Sequence, residues 1–290
     1  MNWILQTHII LLTALPRSYR KNSLLLTLFS LTSIGVFGQS LPEKILQDKL
    51  IVCSHRGVPT PDFPENSIAA MKISKEKGLL MHEIDLMESA DGELYLLHDL
   101  TLDRTTTHSG LISDLQSSDL DSVMLLDNNE PLPRFDKVLD WAKANEVYLM
   151  LDVKQAPLKK VVGEVKKAEM LQQVMVLTFT ETRAREAFEL ESDFLVSVLI
   201  EKAEDIDNYL CAMEDPNYLL AYLNKDAPLD LYEKVQKTGL PIITDVMGTI
   251  DQEALEKGIE VYLDFIQNRS PRILVSDYPL SLISALEKIQ

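Results

Sequence analysis

The amino-acid sequence predicts an α/β fold in which eight strands alternate with helices and close into a (β/α)8 barrel. Short apolar runs recur from residue 50 onward, each rich in Leu, Ile, Val or Tyr, as strands buried on both faces are. Amphipathic segments separate these runs, and eight such strand–helix units are enough to close a barrel. The predicted strands span residues 50–54, 80–86, 148–153, 174–178, 195–199, 218–222, 241–244 and 273–276.

The segments between these strands carry helical patterns. Spaced apolar residues alternate with charged ones, which is typical of helices with one buried face. Asn66 is expected to cap the first helix and Gly78 to end it. The helical pattern is weakest between residues 199 and 218. The predicted helices with clearer patterns span residues 67–76, 135–145, 158–171, 182–190, 229–237, 252–258 and 280–289.

One segment breaks the alternation after strand 2. Asp91-Gly92 is a turn pair typical of a hairpin, and the apolar run 94–97 follows it. We therefore expect a small hairpin, appended to strand 2, that carries His98 above the mouth of the barrel. Residues 101–129 then form a long loop excursion over that mouth.

The first 38 residues differ from the rest of the chain. They hold three basic residues and no acidic one, and they end in an uncharged, mostly apolar run over 24–38. This run is short for a membrane span, which needs roughly 20 residues. The layout predicts a secretory signal peptide over 1–38, with an N-terminal anchor as the alternative. Residues 39–290 are expected to form a single domain that is exported, either to the periplasm or as a secreted protein.

The net charge limits the partners of this protein. It is −17 for the whole chain, and it becomes more negative when the basic residues of 1–38 are removed. Such a surface repels nucleic acid and anionic membranes. We therefore expect a small-molecule substrate and no nucleic-acid partner. Membrane association is expected only through the N-terminal segment or the 101–129 loop, whose apolar run 123–126 could form a rim or pack inward.

The chain has two cysteines, Cys53 in the first predicted strand and Cys211 far along the sequence. A disulfide between them is possible in an exported protein. Cys53 is expected instead to be a small buried apolar residue.

Carboxylates stand near the ends of two predicted strands, and barrel active sites lie at that end. Glu83 and Asp85 occupy the last part of strand 2, and Asp152 and Lys154 end strand 3. Side chains alternate along a strand, so Glu83 and Asp85 point the same way. Unpaired charges inside a barrel would be very costly, and a divalent cation removes that cost. Three carboxylates without a thiolate favour one hard ion, Ca²⁺ or Mg²⁺.

Two histidines accompany these carboxylates. His55-Arg56 ends strand 1, and His98 follows the predicted hairpin. Acid/base groups, metal ligands and an anion-binding cation are the parts that a metal-assisted phosphodiester cleavage needs. The sequence therefore predicts this chemistry at the mouth of the barrel.

The order of these motifs resembles the glycerophosphodiester phosphodiesterase family, from Val52 to Pro279. The resemblance implies a TIM barrel and metal-dependent hydrolysis of glycerophosphodiesters to glycerol 3-phosphate and an alcohol. The matching elements are His55-Arg56-Gly57, Pro64-Glu65-Asn66-Ser67, Glu83-Ile84-Asp85, Asp91-Gly92, His98-Asp99, Leu102 to Thr106, Gly110, Leu132-Pro133 and Ser276-Asp277-Tyr278-Pro279.

The resemblance also implies a role for each candidate site residue. It makes His55 and His98 the acid/base pair. It assigns the metal to Glu83 and Asp85, with Asp152 completing the set. It places Arg56 and Lys154 on the substrate phosphate, with Glu65 supporting the network.

Two departures from the family pattern leave alternatives open. Asp152-Val153-Lys154 stands where the family usually has Glu-x-Lys, and Asp-x-Lys is also similar to the sphingomyelinase D branch. Ile243-Thr244-Asp245 lacks the tryptophan of the family's Trp-Thr-x-Asn run, so the alcohol group remains open. The first alternative is a sphingomyelinase D-like or phosphatidylinositol-type phospholipase that acts on intact lipid or lysolipid. The second is a non-catalytic phosphodiester-binding protein.

Overall fold

The structure, a computed structural model, describes residues 39–47 and 50–288. The predicted signal peptide or anchor, residues 1–38, lies outside the described residues, and its presence and cleavage stay predictions. None of the helices formed by residues 39–47 and 50–288 has the length and apolar character that crossing a membrane requires.

Among the described residues, eight parallel strands close into a barrel, as the sequence predicts. The barrel closes because β1 pairs with both β2 and β9, while β3 runs antiparallel to the end of β2. The predicted hairpin is therefore confirmed. The strands are β1 (Ile51–Ser54), β2 (Met81–Glu88), β3 (Leu94–Leu96), β4 (Tyr148–Gln155), β5 (Val174–Thr178), β6 (Leu195–Leu199), β7 (Leu219–Tyr222), β8 (Ile242–Asp245) and β9 (Ile273–Ser276).

Helices connect the barrel strands, and a further helix precedes the first strand and another follows the last. They are α1 (Leu41–Gln47), α2 (Ile68–Glu76), α3 (Ser117–Leu120), α4 (Phe135–Asn145), α5 (Leu158–Lys167), α6 (Glu181–Leu190), α7 (Ala203–Ala212), α8 (Leu229–Thr238), α9 (Thr249–Lys257), α10 (Glu260–Arg269) and α11 (Pro279–Glu287). Helix α7 fills the segment with the weakest pattern. Helix α10 was not predicted, because its apolar residues lie close together along the chain and mark no single face.

The start of α2 corrects one prediction. Ser67, not Asn66, caps this helix, since its hydroxyl accepts a hydrogen bond from the Ala70 amide at 3.0 Å. Asn66 has a positive φ of 54° and is buried. Its side chain is thereby free for a different role at the mouth of the barrel.

The apolar core lies in two layers. Side chains from the barrel strands, among them Cys53 and Met150, fill the interior together with Leu41 and Ile45 of α1. A larger cluster fills the space between the strands and the helices. Cys53 is fully buried, as predicted, and Cys211 is exposed; both are free thiols, so the possible disulfide is not formed.

The loop over 101–129 packs against the hairpin. Val123 and Leu125 are buried in one cluster with Met87 and Tyr95 of the hairpin. Only part of the 123–126 run is exposed, with Leu126 at 40%. Of an exposed rim and inward packing, the structure therefore favours inward packing for Val123 and Leu125.

A tight turn after β1 gives the first stability prediction. Gly57 has a φ of +73°, and a Cβ there would lie 2.5 Å from the Cγ of Met71, which is buried in α2. Gly57→Ala is therefore expected to lower the free energy of unfolding by about 1–3 kcal/mol. Urea unfolding measures this. Gly78→Ala is the matched control, because Gly78 has a φ of +89° with open space around it. Equal losses in both variants would show that contact with Met71 adds nothing.

Candidate active site

Three carboxylates from neighbouring strands meet at the C-terminal end of the barrel. Asp85 of β2 lies directly beside Asp152 of β4, and Glu83 is two residues before Asp85. Each of the three offers an oxygen, and these oxygens all lie within 4.8 Å of one another. Glu83 and Asp85 are only 4% and 1% exposed. The structure thus brings together the predicted metal set.

The electrostatics of this cluster fit a hard divalent cation. Burial, together with the neighbouring Asp85 carboxylate, raises the pKa of Glu83 to about 8. Burial also raises the pKa of Asp152, although Lys154 and His98 act against it. The Lys154 ammonium lies 2.5 Å from Asp152 Oδ2 and 3.2 Å from Asp85 Oδ1. Lys154 and Arg56, whose Nε lies 3.7 Å from Asp85 Oδ2, balance only two negative charges when all three carboxylates are ionised. Oxygen ligands suit Ca²⁺ or Mg²⁺.

Asn66 fixes the orientation of one of these carboxylates. Its side-chain amide donates to Asp85 Oδ2 at 2.8 Å, and its carbonyl oxygen accepts from the Asp85 amide at 3.0 Å. The sequence motif contained Asn66, but the residue was assigned to the helix start. Its positive φ, which a sequence pattern does not reveal, turns it toward β2 instead.

His55 stands at the turn that follows β1. Its Nδ1 lies 2.6 Å from Asp277 Oδ1, and its Nε2 lies 3.9 Å from Glu83 Oε2. Burial lowers the pKa of His55, but Asp277 and Glu83 together outweigh burial, so the pKa is raised overall. In the same turn, the Arg56 amide donates to Glu83 Oε2 at 2.9 Å. The turn therefore aims His55 at the carboxylate cluster.

The partner of His55 is itself held in place. The Asp277 amide donates to Asp251 Oδ2 at 2.8 Å, while Ser276 Oγ and Tyr262 Oη donate to Asp251 Oδ1. Asp277 was not among the predicted site residues, although the motif Ser276-Asp277 marked it. No sequence motif marked Asp251 or Tyr262 as part of the site. Tyr262 also belongs to helix α10, which was not predicted.

His98 has a corresponding aspartate. It follows β3, and its Nδ1 lies 2.7 Å from Asp99 Oδ1. The Arg104 guanidinium bonds Asp99 and also forms two hydrogen bonds to Glu65, at 2.7 and 2.8 Å. Glu65 in turn accepts from Arg56 at 2.9 and 3.0 Å. A chain of alternating charges therefore connects His98 to Arg56, and Glu65 joins its two arginines, as a supporting residue would.

The two residues predicted to bind the substrate phosphate, Arg56 and Lys154, both have hydrogen-bond donors near the carboxylate cluster. Arg56 uses Nη1 for Glu65, while its Nε lies 3.7 Å from Asp85 Oδ2 and is buried without a hydrogen-bond partner. Lys154 lies between Asp85 and Asp152, at the end of β4. Both cations are therefore close to where a phosphate would meet the metal.

His82 is a further histidine of β2, and it has no assigned catalytic role. His82 faces away from the cluster; it is fully buried, and its Nδ1 lies 2.7 Å from Ser54 Oγ. Burial lowers its pKa to about 3, so it is a neutral packing residue.

The wall formed by β7 and β8 is polar. Tyr222 Oη donates to Asp245 Oδ2 at 2.8 Å, and Lys225 Nζ donates to Asp245 Oδ1 at 3.1 Å. Phe179, which is 42% exposed, meets the Tyr222 ring edge to face at 5.5 Å. Two aromatic rings therefore lie close to the strand that lacks the expected tryptophan.

Asp277→Asn is expected to shift the pH dependence of catalysis. The amide keeps the size of the side chain but removes the charge that raises the pKa of His55. Whichever limb of the pH–rate profile His55 controls then moves to lower pH, and kcat/KM falls by about 10-fold or more. Profiles of kcat/KM against pH for both proteins test this. Asp99→Asn is the matched control, since it acts on His98. An unshifted profile would contradict the orienting role of Asp277.

Comparisons with known proteins show the family of this chain. Residues 55–210, more than half of the chain, match the glycerophosphoryl diester phosphodiesterase family model. A glycerophosphodiester phosphodiesterase of Caldanaerobacter subterraneus is 23% identical over 244 residues, which cover 79% of this chain and 97% of that protein. Bovine glycerophosphodiester phosphodiesterase 1 is 41% identical over 69 residues, 24% of this chain and 20% of that protein.

Two solved structures share the fold. A glycerophosphoryl diester phosphodiesterase from Parabacteroides distasonis has a TM-score of 0.77 at 21% identity, covering 87% of this chain and 93% of its own. A phosphodiesterase of Oleispira antarctica, in complex with the product sn-glycerol-3-phosphate, has a TM-score of 0.66 at 20% identity, covering 82% and 96%. The chain is therefore a phosphodiesterase that belongs to the glycerophosphoryl diester phosphodiesterase family.

Proposed function

We propose that this protein hydrolyses glycerophosphodiesters to glycerol 3-phosphate and an alcohol, using His55 and His98 as its acid/base pair and one divalent cation, Ca²⁺ or Mg²⁺. The observation that carries the proposal is the arrangement of two aspartate-bound histidines around a cluster of three carboxylates, two of which are buried. The Oleispira relative holds sn-glycerol-3-phosphate as its product, and the same product fits the proposed reaction.

The two histidines divide the proton transfers. Asp277 and Asp99 each hold the Nδ1 of one imidazole, which leaves Nε2 to exchange a proton with the substrate. One histidine takes a proton from the attacking oxygen, and the other gives a proton to the departing oxygen. Each transfer contributes about 10²–10⁴-fold to the rate.

The cations stabilise charge on the phosphoryl oxygens. The buried Nε–H of Arg56 has no hydrogen-bond partner and can donate to one of these oxygens. The Lys154 ammonium offers a second donor from the end of β4. Both are fixed by ion pairs before substrate binds, so little reorganisation is needed during the reaction.

The carboxylates of Glu83, Asp85 and Asp152 would hold the metal. Bound there, a divalent cation would lower the pKa of the attacking oxygen and would withdraw charge from the phosphoryl group. The raised pKa of Glu83 supports this assignment, because burial disfavours its charged form when no cation is nearby.

Export to the periplasm or the exterior is part of this proposal and rests on the signal peptide predicted for residues 1–38. N-terminal sequencing of the protein recovered from cell fractions tests it. A cytoplasmic protein with an intact N-terminus would contradict both export and cleavage.

Turnover of defined diesters tests the reaction. The purified protein is stripped with EDTA and then given Ca²⁺ or Mg²⁺, with glycerophosphocholine and glycerophosphoethanolamine as substrates. We expect glycerol 3-phosphate to be released only after metal is restored. Lysolipid and intact lipid vesicles serve as comparison substrates. Activity on lipids alone would reject this reaction in favour of a phospholipase, and binding without turnover would indicate a non-catalytic protein.

A further inference from the structure

Arg104 lies between two carboxylates that each hold a residue of the candidate site. Its Nε and Nη2 donate to Asp99 at 2.5 and 3.0 Å, and its Nη1 and Nη2 donate to Glu65 at 2.8 and 2.7 Å. Each of two edges of the planar guanidinium therefore faces one carboxylate. Asp99 binds His98, the proposed acid/base residue. Glu65 binds Arg56, the proposed phosphate ligand.

The turn that carries Arg104 is closed by its neighbours. Leu102 is fully buried in the cluster that contains Met87 and Tyr95 of the hairpin. Thr106 is also buried, and its amide and its hydroxyl donate to the Leu102 carbonyl oxygen at 3.1 and 2.8 Å. The backbone is therefore fixed on both sides of Arg104, while the arginine side chain itself is exposed. The fold of this turn does not depend on the guanidinium.

The charges in this network favour a fixed arrangement. Hydrogen bonds from Arg104 hold the pKa of Asp99 well below its usual range, so Asp99 stays ionised beside His98 at neutral pH. Burial raises the pKa of Glu65, but Arg104 and Arg56 outweigh burial and lower it overall. Both carboxylates are therefore negative, and Arg104 is a cation that they share.

A shared cation limits how each carboxylate can turn. Because Arg104 binds both oxygens of Asp99, this carboxylate cannot rotate away from His98 without losing hydrogen bonds. Glu65 is restricted in the same way, since both of its oxygens also accept from Arg104. The two ends of the network belong to different connections of the barrel: His98 follows β3, whereas Arg56 lies in the turn after β1.

We propose that Arg104 is a positioning residue for both ends of the site. Through Asp99 it orients His98, and through Glu65 it orients Arg56. This inference rests on the proposed function, since it concerns the acid/base and phosphate-binding residues of that reaction. An arginine is needed here, because the single nitrogen of a lysine cannot present paired donors to two carboxylates.

Replacing Arg104 tests this role. Arg104→Ala is expected to lower kcat/KM for glycerophosphocholine by about 10–100-fold, because a displacement of about 1 Å at the reacting groups has an effect of this size. Arg104→Lys should recover only part of the loss. Guanidinium chloride at millimolar concentration should raise the activity of Arg104→Ala and not that of the wild type, since the free cation can occupy the space between the carboxylates. Sodium chloride at the same ionic strength is the control, and thermal unfolding verifies the fold.

A combined variant separates positioning from a general structural effect. Since Arg104 acts through Asp99 and Glu65, Arg104→Ala should cost only about 2–3-fold in a protein that already carries Asp99→Asn and Glu65→Gln. Arg134→Ala is the matched control for the loss of an arginine–aspartate pair. Arg134 donates to both oxygens of Asp121, at 2.7 and 3.0 Å. This variant should keep the wild-type kcat/KM.

An unchanged kcat/KM in Arg104→Ala would overturn the positioning role, and so would an equal loss in the two backgrounds. In both cases the proposed function stands, because the wild-type protein still turns over its substrate. A wild-type protein that releases glycerol 3-phosphate from neither glycerophosphocholine nor glycerophosphoethanolamine, with either metal, would overturn the proposed function and the positioning role together.

Discussion

Replacing His55 or His98 with alanine is expected to lower kcat by about 10²–10⁴-fold, because each variant loses one of two proton transfers. The fold should survive both changes. His55 lies in a turn at the mouth of the barrel, and His98 lies just beyond β3, so neither is part of the apolar core. Glycerol 3-phosphate release at saturating substrate measures kcat, and thermal unfolding verifies the fold.

The double variant sharpens this test. Since the two histidines act in one reaction, the kcat of the double variant, His55→Ala with His98→Ala, should be only slightly lower than that of the less active single variant. His108→Ala is the control, because His108 is an exposed residue of the 101–129 loop. It should retain the wild-type rate. Full activity in both single variants would refute the acid/base assignment.

Removing one carboxylate from the cluster is expected to abolish metal-dependent turnover and metal-dependent stabilisation together. Asp85→Asn keeps the shape of the side chain but removes one of the three carboxylate ligands, whose oxygens lie within 4.8 Å of one another. In the wild-type protein, a cation present at 100 times its Kd stabilises the fold by about 2.7 kcal/mol. For a domain of this size, that corresponds to a rise in Tm of roughly 5–10 °C.

Thermal unfolding of EDTA-treated protein, with and without Ca²⁺ or Mg²⁺, measures the effect. Asp85→Asn should lose most of the rise in Tm. Asp230→Asn is the control, since Asp230 is an exposed residue of α8 paired with Lys234, and it should keep the full rise. In the absence of metal and at neutral pH, Glu83→Gln should be more stable than the wild type, because the raised pKa of Glu83 means that its carboxylate must take up a proton on folding, whereas the amide is neutral in both states. A rise in Tm that survives Asp85→Asn would place the cation elsewhere.

The pattern of apolar runs was sufficient to predict the barrel. A strand buried on both faces needs a continuous apolar run, and this requirement is local to the chain. The errors arose where local signals were ambiguous. Helix α10 has apolar residues on several sides, and Asn66 is both a common N-cap residue and one that tolerates a positive φ.

The candidate site was predictable in part. Glu83, Asp85 and Asp152 stood near strand ends, and alternation along β2 predicted that Glu83 and Asp85 share a face. The register of β2 with β4, which places Asp85 directly beside Asp152, needed the folded sheet. The exposure of the 123–126 run likewise depended on where the loop packs, which periodicity does not decide.

By itself, the sequence determined the fold class, the residues available for chemistry and the family, since these depend on residue types and their order. Tertiary structure decided which groups orient each histidine. Asp277 reaches His55 across 222 residues because β1 pairs with β9 when the barrel closes. Arg104, which binds Asp99, likewise reaches Glu65 across 39 residues. Such contacts join residues that are far apart in the sequence and become neighbours only in the closed barrel. The spacing of these residues along the chain therefore does not predict them.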